Sequence, residues 1–153
     1  MKTIDVDPKT LTETIVACRG ITYRLGAKPP LAGVPHKDFS RSDCSGYTRY
    51  LLAKATHGKV VLPHGSVNQR KWCEAQGFKR TAYLNCQWED GRLRIAFMDA
   101  VNGHGHVWFC LDGQTIECWS GRGVGRRPWN TPILKRHVDH CFVLTDQIIA
   151  WED

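Results

Sequence analysis

The chain reads as an α+β fold, with helices in its first half and an antiparallel sheet in its second. Three observations predict this. Apolar residues recur at helical spacing as far as Gly77 and alternate with a period of two beyond it. An Asp112-Gly113 pair sits between two alternating runs, the signature of a two-residue hairpin turn. No repeat, linker or low-complexity tract interrupts the 153 residues, so a single domain over 1–153 is expected. Helices and strands segregated in this way pack as helices laid on one sheet.

Taken in order, Asp7-Pro8 followed by Leu11, Ile15 and Cys18 predicts a first helix, stopped at Gly20. Residues 21–41 are loop-like, broken by Pro29-Pro30, Gly33 and Pro35. A second helix opens at Ser42-Asp43-Cys44, either of the first two serving as N-cap, and runs to about Gly58. Lys59-Val60-Val61-Leu62 reads as a short strand ending at Pro63. A third helix is predicted from Ser66 to Gly77, burying Val67 and Trp72. Strands are predicted over 78–84, 92–98, 106–111, 115–119 and 141–145.

Composition narrows the class of function. The apolar fraction of 42% and charged fraction of 24% suit a globular domain, and no apolar run reaches the length of a membrane span. The N-terminus carries Asp5 and Asp7 where a secretory signal needs an apolar core, so synthesis in the cytoplasm is expected. Seven cysteines, an odd number, then read as mainly reduced thiols. The net charge of +6 suits an anionic partner, whether nucleic acid, a membrane surface or a cell wall.

The hairpin fixes a register. With Asp112-Gly113 as the turn, Leu111 opposes Gln114, Trp108 opposes Glu117 and His106 opposes Trp119. One face carries Val107, Phe109, Leu111, Ile116 and Cys118, all apolar. The other carries His106, Trp108, Cys110, Thr115, Glu117 and Trp119. Glu117 is then the diagonal neighbour of His106, placed to orient its imidazole and favour the protonated form. His104 shares that parity but lies between two glycines at the mouth of the strand, which makes it the weaker candidate.

Cys44 falls in the first turn of the second helix, where unpaired amides favour a thiolate. The helix end is worth about 1–2 kcal/mol to a negative charge. A cationic partner such as His106 is therefore needed for an activated thiolate.

Together these residues resemble the NlpC/P60 family of cysteine peptidases, papain-like enzymes that cut the peptide stems of bacterial peptidoglycan. Asp43-Cys44-Ser45-Gly46-Tyr47 matches the family's nucleophile motif, Gly105-His106-Val107 its base strand, and Glu117 falls at its third polar position. Tyr23, upstream and before Gly26, fits a further family feature; the likeness covers roughly residues 12–130. Two departures stand out. The third position is usually His, Asn or Gln, and the usual Gly-Asp-aliphatic-aromatic strand is replaced by Gly91-Arg92-Leu93-Arg94-Ile95-Ala96-Phe97.

The resemblance implies a peptidoglycan hydrolase, peptidase or amidase, with Cys44, His106 and Glu117 catalytic and Tyr23, Asp43, Ser45 and Trp108 beside the substrate. No cofactor, metal or nucleic acid is expected, and a monomer is; the missing secretory signal and reduced cysteines then place its action in the periplasm or on the wall after release by another system. A small basic domain of this kind fits a phage endolysin; a phage tail enzyme or a contact-dependent secreted amidase effector are alternatives. Arg122, Arg126 and Arg127 in the Gly-rich run 121–128 are placed either against the anionic wall or on a solvated loop. Other classes compete. His104, His106, Cys110, Cys118, His137, His140 and Cys141 raise a zinc-binding module, although no paired Cys-x-x-Cys knuckles occur. A nucleic-acid module rests on charge and six tryptophans alone. A non-catalytic wall-binding relative remains a third option.

Overall fold

A computed structural model describes residues 2–82, 90–101 and 104–150, without the side chains of 100, 101, 104 and 135–137. Helix α1 spans Pro8–Ala17, with Asp7 as N-cap accepting from the Lys9 and Thr10 amides and Pro8 at the first helical position. Helix α2 spans Cys44–Ala55 behind the N-cap Asp43. Helix α3 spans Ser66–Gln76 and ends on Gly77, whose φ of 76° is the left-handed turn glycine adopts freely. All three predicted helices are present, each starting within a residue or two of its predicted N-cap.

Two short segments inside the predicted loop, β1 (Thr22–Tyr23) and β2 (Arg41–Ser42), pair in parallel. This pairing carries Tyr23 to the start of α2. The remaining strands form one sheet: β3 (Lys79–Arg80), β4 (Arg94–Val101), β5 (His104–Leu111), β6 (Gln114–Trp119), β7 (Gly123–Gly125) and β8 (His140–Val143). Their spatial order is β3-β8-β4-β5-β6-β7, antiparallel throughout. A short helix α4, Pro132–His137, precedes β8.

The predicted hairpin register holds: Leu111 pairs with Gln114, Cys110 with Thr115 and Phe109 with Ile116. Asp112 and Gly113 take φ of 51° and 75°, as a turn with both central residues left-handed requires. The apolar face of the hairpin joins Leu11, Ile15, Tyr47, Leu51 and Phe142 in the main core beneath α1 and α2. Burying each such large side chain contributes about 1.5–3 kcal/mol.

Several expectations are corrected. Residues 59–62 form no strand; the segment packs irregularly, with Leu62 buried and its carbonyl taken by Arg49 Nε at 2.9 Å. On α3 the buried positions are Gln69 and Cys73, while Val67 is 44% exposed. Polar Gln69 wins because its amide answers two buried groups, Thr48 Oγ1 and the Ser45 carbonyl, and the half-buried Pro63 carbonyl. The far end of the predicted strand 78–84, at 83 and 84, lies outside the described residues, as does Cys86. The second face of the hairpin is not a surface: Trp108, Cys110 and Cys141 form a smaller core with Ala96 and Leu134. None of the described helices is long and apolar enough to cross a membrane.

Candidate active site

The site lies where the N-terminus of α2 meets β5 and β6. Asp43 caps α2, its Oδ1 accepting the Gly46 amide at 2.7 Å. This places Cys44 at the first helical position, where amides have no intrahelical acceptor. Gly46 is required by close approach. A Cβ there would lie 2.9 Å from the Ala27 carbonyl, from Asp43 Oδ1 and from Pro29, so the loop over α2 closes only on glycine.

Opposite Cys44, β5 presents His106, 8% exposed. Its Nε2–H donates to Glu117 Oε1 at 2.7 Å, the diagonal contact anticipated from the register. Nε2 is thus committed, and Nδ1 is left to meet Cys44. Beneath the imidazole lies the indole of Trp108, stacked at 5.1 Å and 24°. A register irregularity between Met98 and Val101 of β4 lies opposite His106, where such bulges re-aim side chains.

Glu117 is fully buried, so its charge must be compensated. The residue that does so went unrecognised in the sequence. Arg127 Nε donates to Oε2 at 2.8 Å and Nη2 to Oε1 at 2.9 Å, while the guanidinium lies 4.3 Å over the Trp119 ring. Arg126 also turns inward, Nε to the Thr115 carbonyl and Nη2 to the Leu111 carbonyl, each at 2.9 Å. Both arginines are therefore drawn into the hairpin and the buried carboxylate, rather than spread on a solvated loop.

Electrostatics follow from these contacts. Burial opposes the imidazolium of His106, but its hydrogen bonds with Cys44 and Glu117 prevail and raise it to about 9. Burial also opposes ionisation of Glu117; the hydrogen bonds from His106 and Arg127 outweigh it and hold the carboxyl below its ordinary value. Tyr23 is pushed up by burial and by the negative charges of Cys44 and Asp43, consistent with its place beside them.

A cleft of about 580 Å³ opens over these groups, lined among others by Tyr23, Lys28, Asp43, Cys44, Ser45 and His106. The structure thus gathers Cys44, His106, Tyr23, Asp43 and Ser45 at one place, with Glu117 directly behind His106. Trp108 is the exception. It has no exposed surface, does not line the cleft and stacks beneath His106. A second concavity, of about 570 Å³ and lined among others by Arg19 and Arg122, lies away from this chemistry.

Cys18, Cys44, Cys73 and Cys118 are free thiols. Among the described residues, no three His, Cys, Asp or Glu side chains are grouped to hold a metal ion. His140 meets Arg80 and Asp99 instead, and Cys118 donates to the Ser42 carbonyl at 3.4 Å on the opposite face of the sheet from His106.

The fold and the site define a class: an α+β scaffold carrying a thiol at a helix N-terminus against a His-Glu pair on a hairpin. This is the NlpC/P60 fold. An NLP/P60-family protein similar to a lipoprotein, from Staphylococcus aureus, matches with a TM-score of 0.64 over 96% of this chain and 44% of its own, at 17% identity. NlpC2 from Trichomonas vaginalis matches at 0.59 over 95% of this chain and 49% of its own, at 14% identity. An NlpC/P60 family protein from Bacillus cereus matches at 0.57 over 88% and 39%, at 21% identity. The chain spans less than half the length of each of these structures. No family sequence profile matches it, and no curated protein does.

Proposed function

We propose that the chain is a thiol hydrolase that cleaves an amide bond in the stem peptides of bacterial peptidoglycan. The observation that carries this reading is the 2.7 Å contact between His106 and Glu117, set against a cysteine at a helix N-terminus in an open cleft. The kinship of the fold with NlpC/P60 proteins supports the substrate class, and the net charge of +6 suits an anionic wall.

In this reading the Cys44 thiolate attacks the scissile carbonyl, and the Cys44 amide contributes one donor to the oxyanion. His106, held as imidazolium, gives its proton to the leaving amine and then takes one from the hydrolytic water. Glu117 fixes the ring, and Arg127 fixes Glu117. Release by a phage lysis system is the setting we favour, with a tail enzyme or a secreted effector as alternatives.

The test is digestion of purified peptidoglycan, followed by mass spectrometry of the new termini, with Cys44→Ala as control. New amine and carboxyl termini from the wild type alone support the reading and identify the bond. Their absence from the wild type refutes it.

A further inference from the structure

Asp43 and Ser45 lie beside Cys44, but the Asp43 carboxylate and the Ser45 hydroxyl proton are already taken by the chain itself. Asp43 Oδ1 accepts the Gly46 amide at 2.7 Å and Ser45 Oγ at 3.4 Å. Its Oδ2 accepts the Gly26 amide at 3.2 Å and the ammonium of Lys28. An ionised carboxylate offers about four lone-pair positions, and here all are filled. Ser45 Oγ gives its proton toward Asp43 and accepts from Lys28 Nζ at 2.9 Å.

Lys28 is placed differently. An ammonium carries three hydrogens, of which Asp43 and Ser45 use two. Its side chain is 30% exposed and lines the cleft, whereas that of Asp43 is 6% exposed behind it. Of these three side chains, the one with a donor left for a ligand is therefore the cationic Lys28. It is also held in place before any ligand arrives, so little ordering is lost on binding. A substrate ammonium would meet a like charge, and reaching Asp43 would require breaking a largely buried ion pair.

We infer that Lys28 is a specificity-determining residue that receives a free carboxylate of the substrate beside the scissile bond and disfavours an amine there. The inference rests on the hydrolase reading and deepens it, by naming the chemistry of the preferred stem peptide.

The test uses synthetic stem peptides, unmodified or amidated at each carboxyl in turn. Values of kcat/KM are measured for the wild type, Lys28→Met and Lys28→Arg. The wild type is expected to favour one free carboxylate over its carboxamide by about ten-fold or more, the scale of a hydrogen bond between charged groups. Lys28→Arg keeps that preference, and Lys28→Met brings the ratio close to one. Equal cleavage of all forms by the wild type overturns the Lys28 inference and leaves the hydrolase reading standing. Cleavage of none overturns both. An unchanged preference in Lys28→Met likewise overturns the inference. Should Lys28→Met fail to fold, the wild-type ratio and Lys28→Arg still decide, since loss of the preference in Lys28→Arg counts against a role for the charge.

Discussion

The cleft has two walls, one carrying Cys44, the proposed nucleophile, and the other His106, the proposed base, and each hides a carboxylate. On the nucleophile's wall, Asp43 is neutralised by donors close in the chain: the Gly46 amide, the Gly26 amide and Lys28. On the base's wall, Glu117 is neutralised by His106 from one strand and by Arg127 from beyond the next turn. The first carboxylate holds a helix and a loop in place; the second holds a titrating ring. Removing Asp43 should therefore be felt mainly as lost stability, and removing Glu117 mainly as altered chemistry.

The largest effect expected is at the reacting pair. Cys44→Ala and His106→Ala should each lower kcat/KM on peptidoglycan fragments by about 1,000-fold or more, since members of such a unit act together. His106→Ala should also abolish alkylation of Cys44 by iodoacetamide at pH 6. Undiminished alkylation there would sink the idea that the imidazolium activates the thiol.

Next comes the platform of the base's wall. Trp108→Ala empties a site with no exposed surface and should cost about 3–5 kcal/mol in urea denaturation. Trp108→Phe keeps a ring beneath His106 and should cost clearly less. A smaller loss follows at the nucleophile's wall. Asp43→Ala removes an N-cap and frees Lys28, which can turn to solvent, so a loss of about 2 kcal/mol is expected. If Asp43→Ala spared stability while Glu117→Gln destroyed it, the contrast between the walls would be reversed.

The difference between the walls also explains what could be read without coordinates. The nucleophile's wall is built by sequence neighbours: Asp43 caps the helix that begins at Cys44, and Gly46 admits the loop three residues later. Short-range rules of capping and turn chemistry reach that far. The Asp112-Gly113 turn fixed the pairing of β5 with β6 and thereby the meeting of His106 and Glu117. Arg127 escaped because nothing local marks it. It reaches Glu117 only when the chain folds back through β7, and a Gly-rich, Arg-rich run reads as solvated surface. Trp108 was misplaced for a related reason. The resemblance alone places it beside the substrate, whereas α4 and the segment before it cover that face; with only six residues, α4 gives too short a periodic signal to predict. Lys28 lay in a stretch read only as loop, where the partner of a single lysine depends on tertiary closure.

The subtlest prediction concerns the proton on His106, and it sets Glu117 against Arg127. With its value raised from 6.5 to about 9, the imidazolium favours the folded state fully below pH 6.5, and that contribution is lost as pH rises through about 9. Activity that needs this proton should fall across the same alkaline limb. Glu117→Gln keeps a hydrogen-bond acceptor but removes the negative charge, so the limb should move down by about one pH unit. Arg127→Met leaves His106 as the sole cation on a buried carboxylate and removes a like charge from its neighbourhood. The limb should then move up, by a similar amount. A purely structural Arg127 would lower stability and leave the limb where it was. Shifts of opposite sign in rate profiles between pH 5 and 10 would show that the two residues tune one proton; shifts in the same direction would show that Arg127 acts by another route.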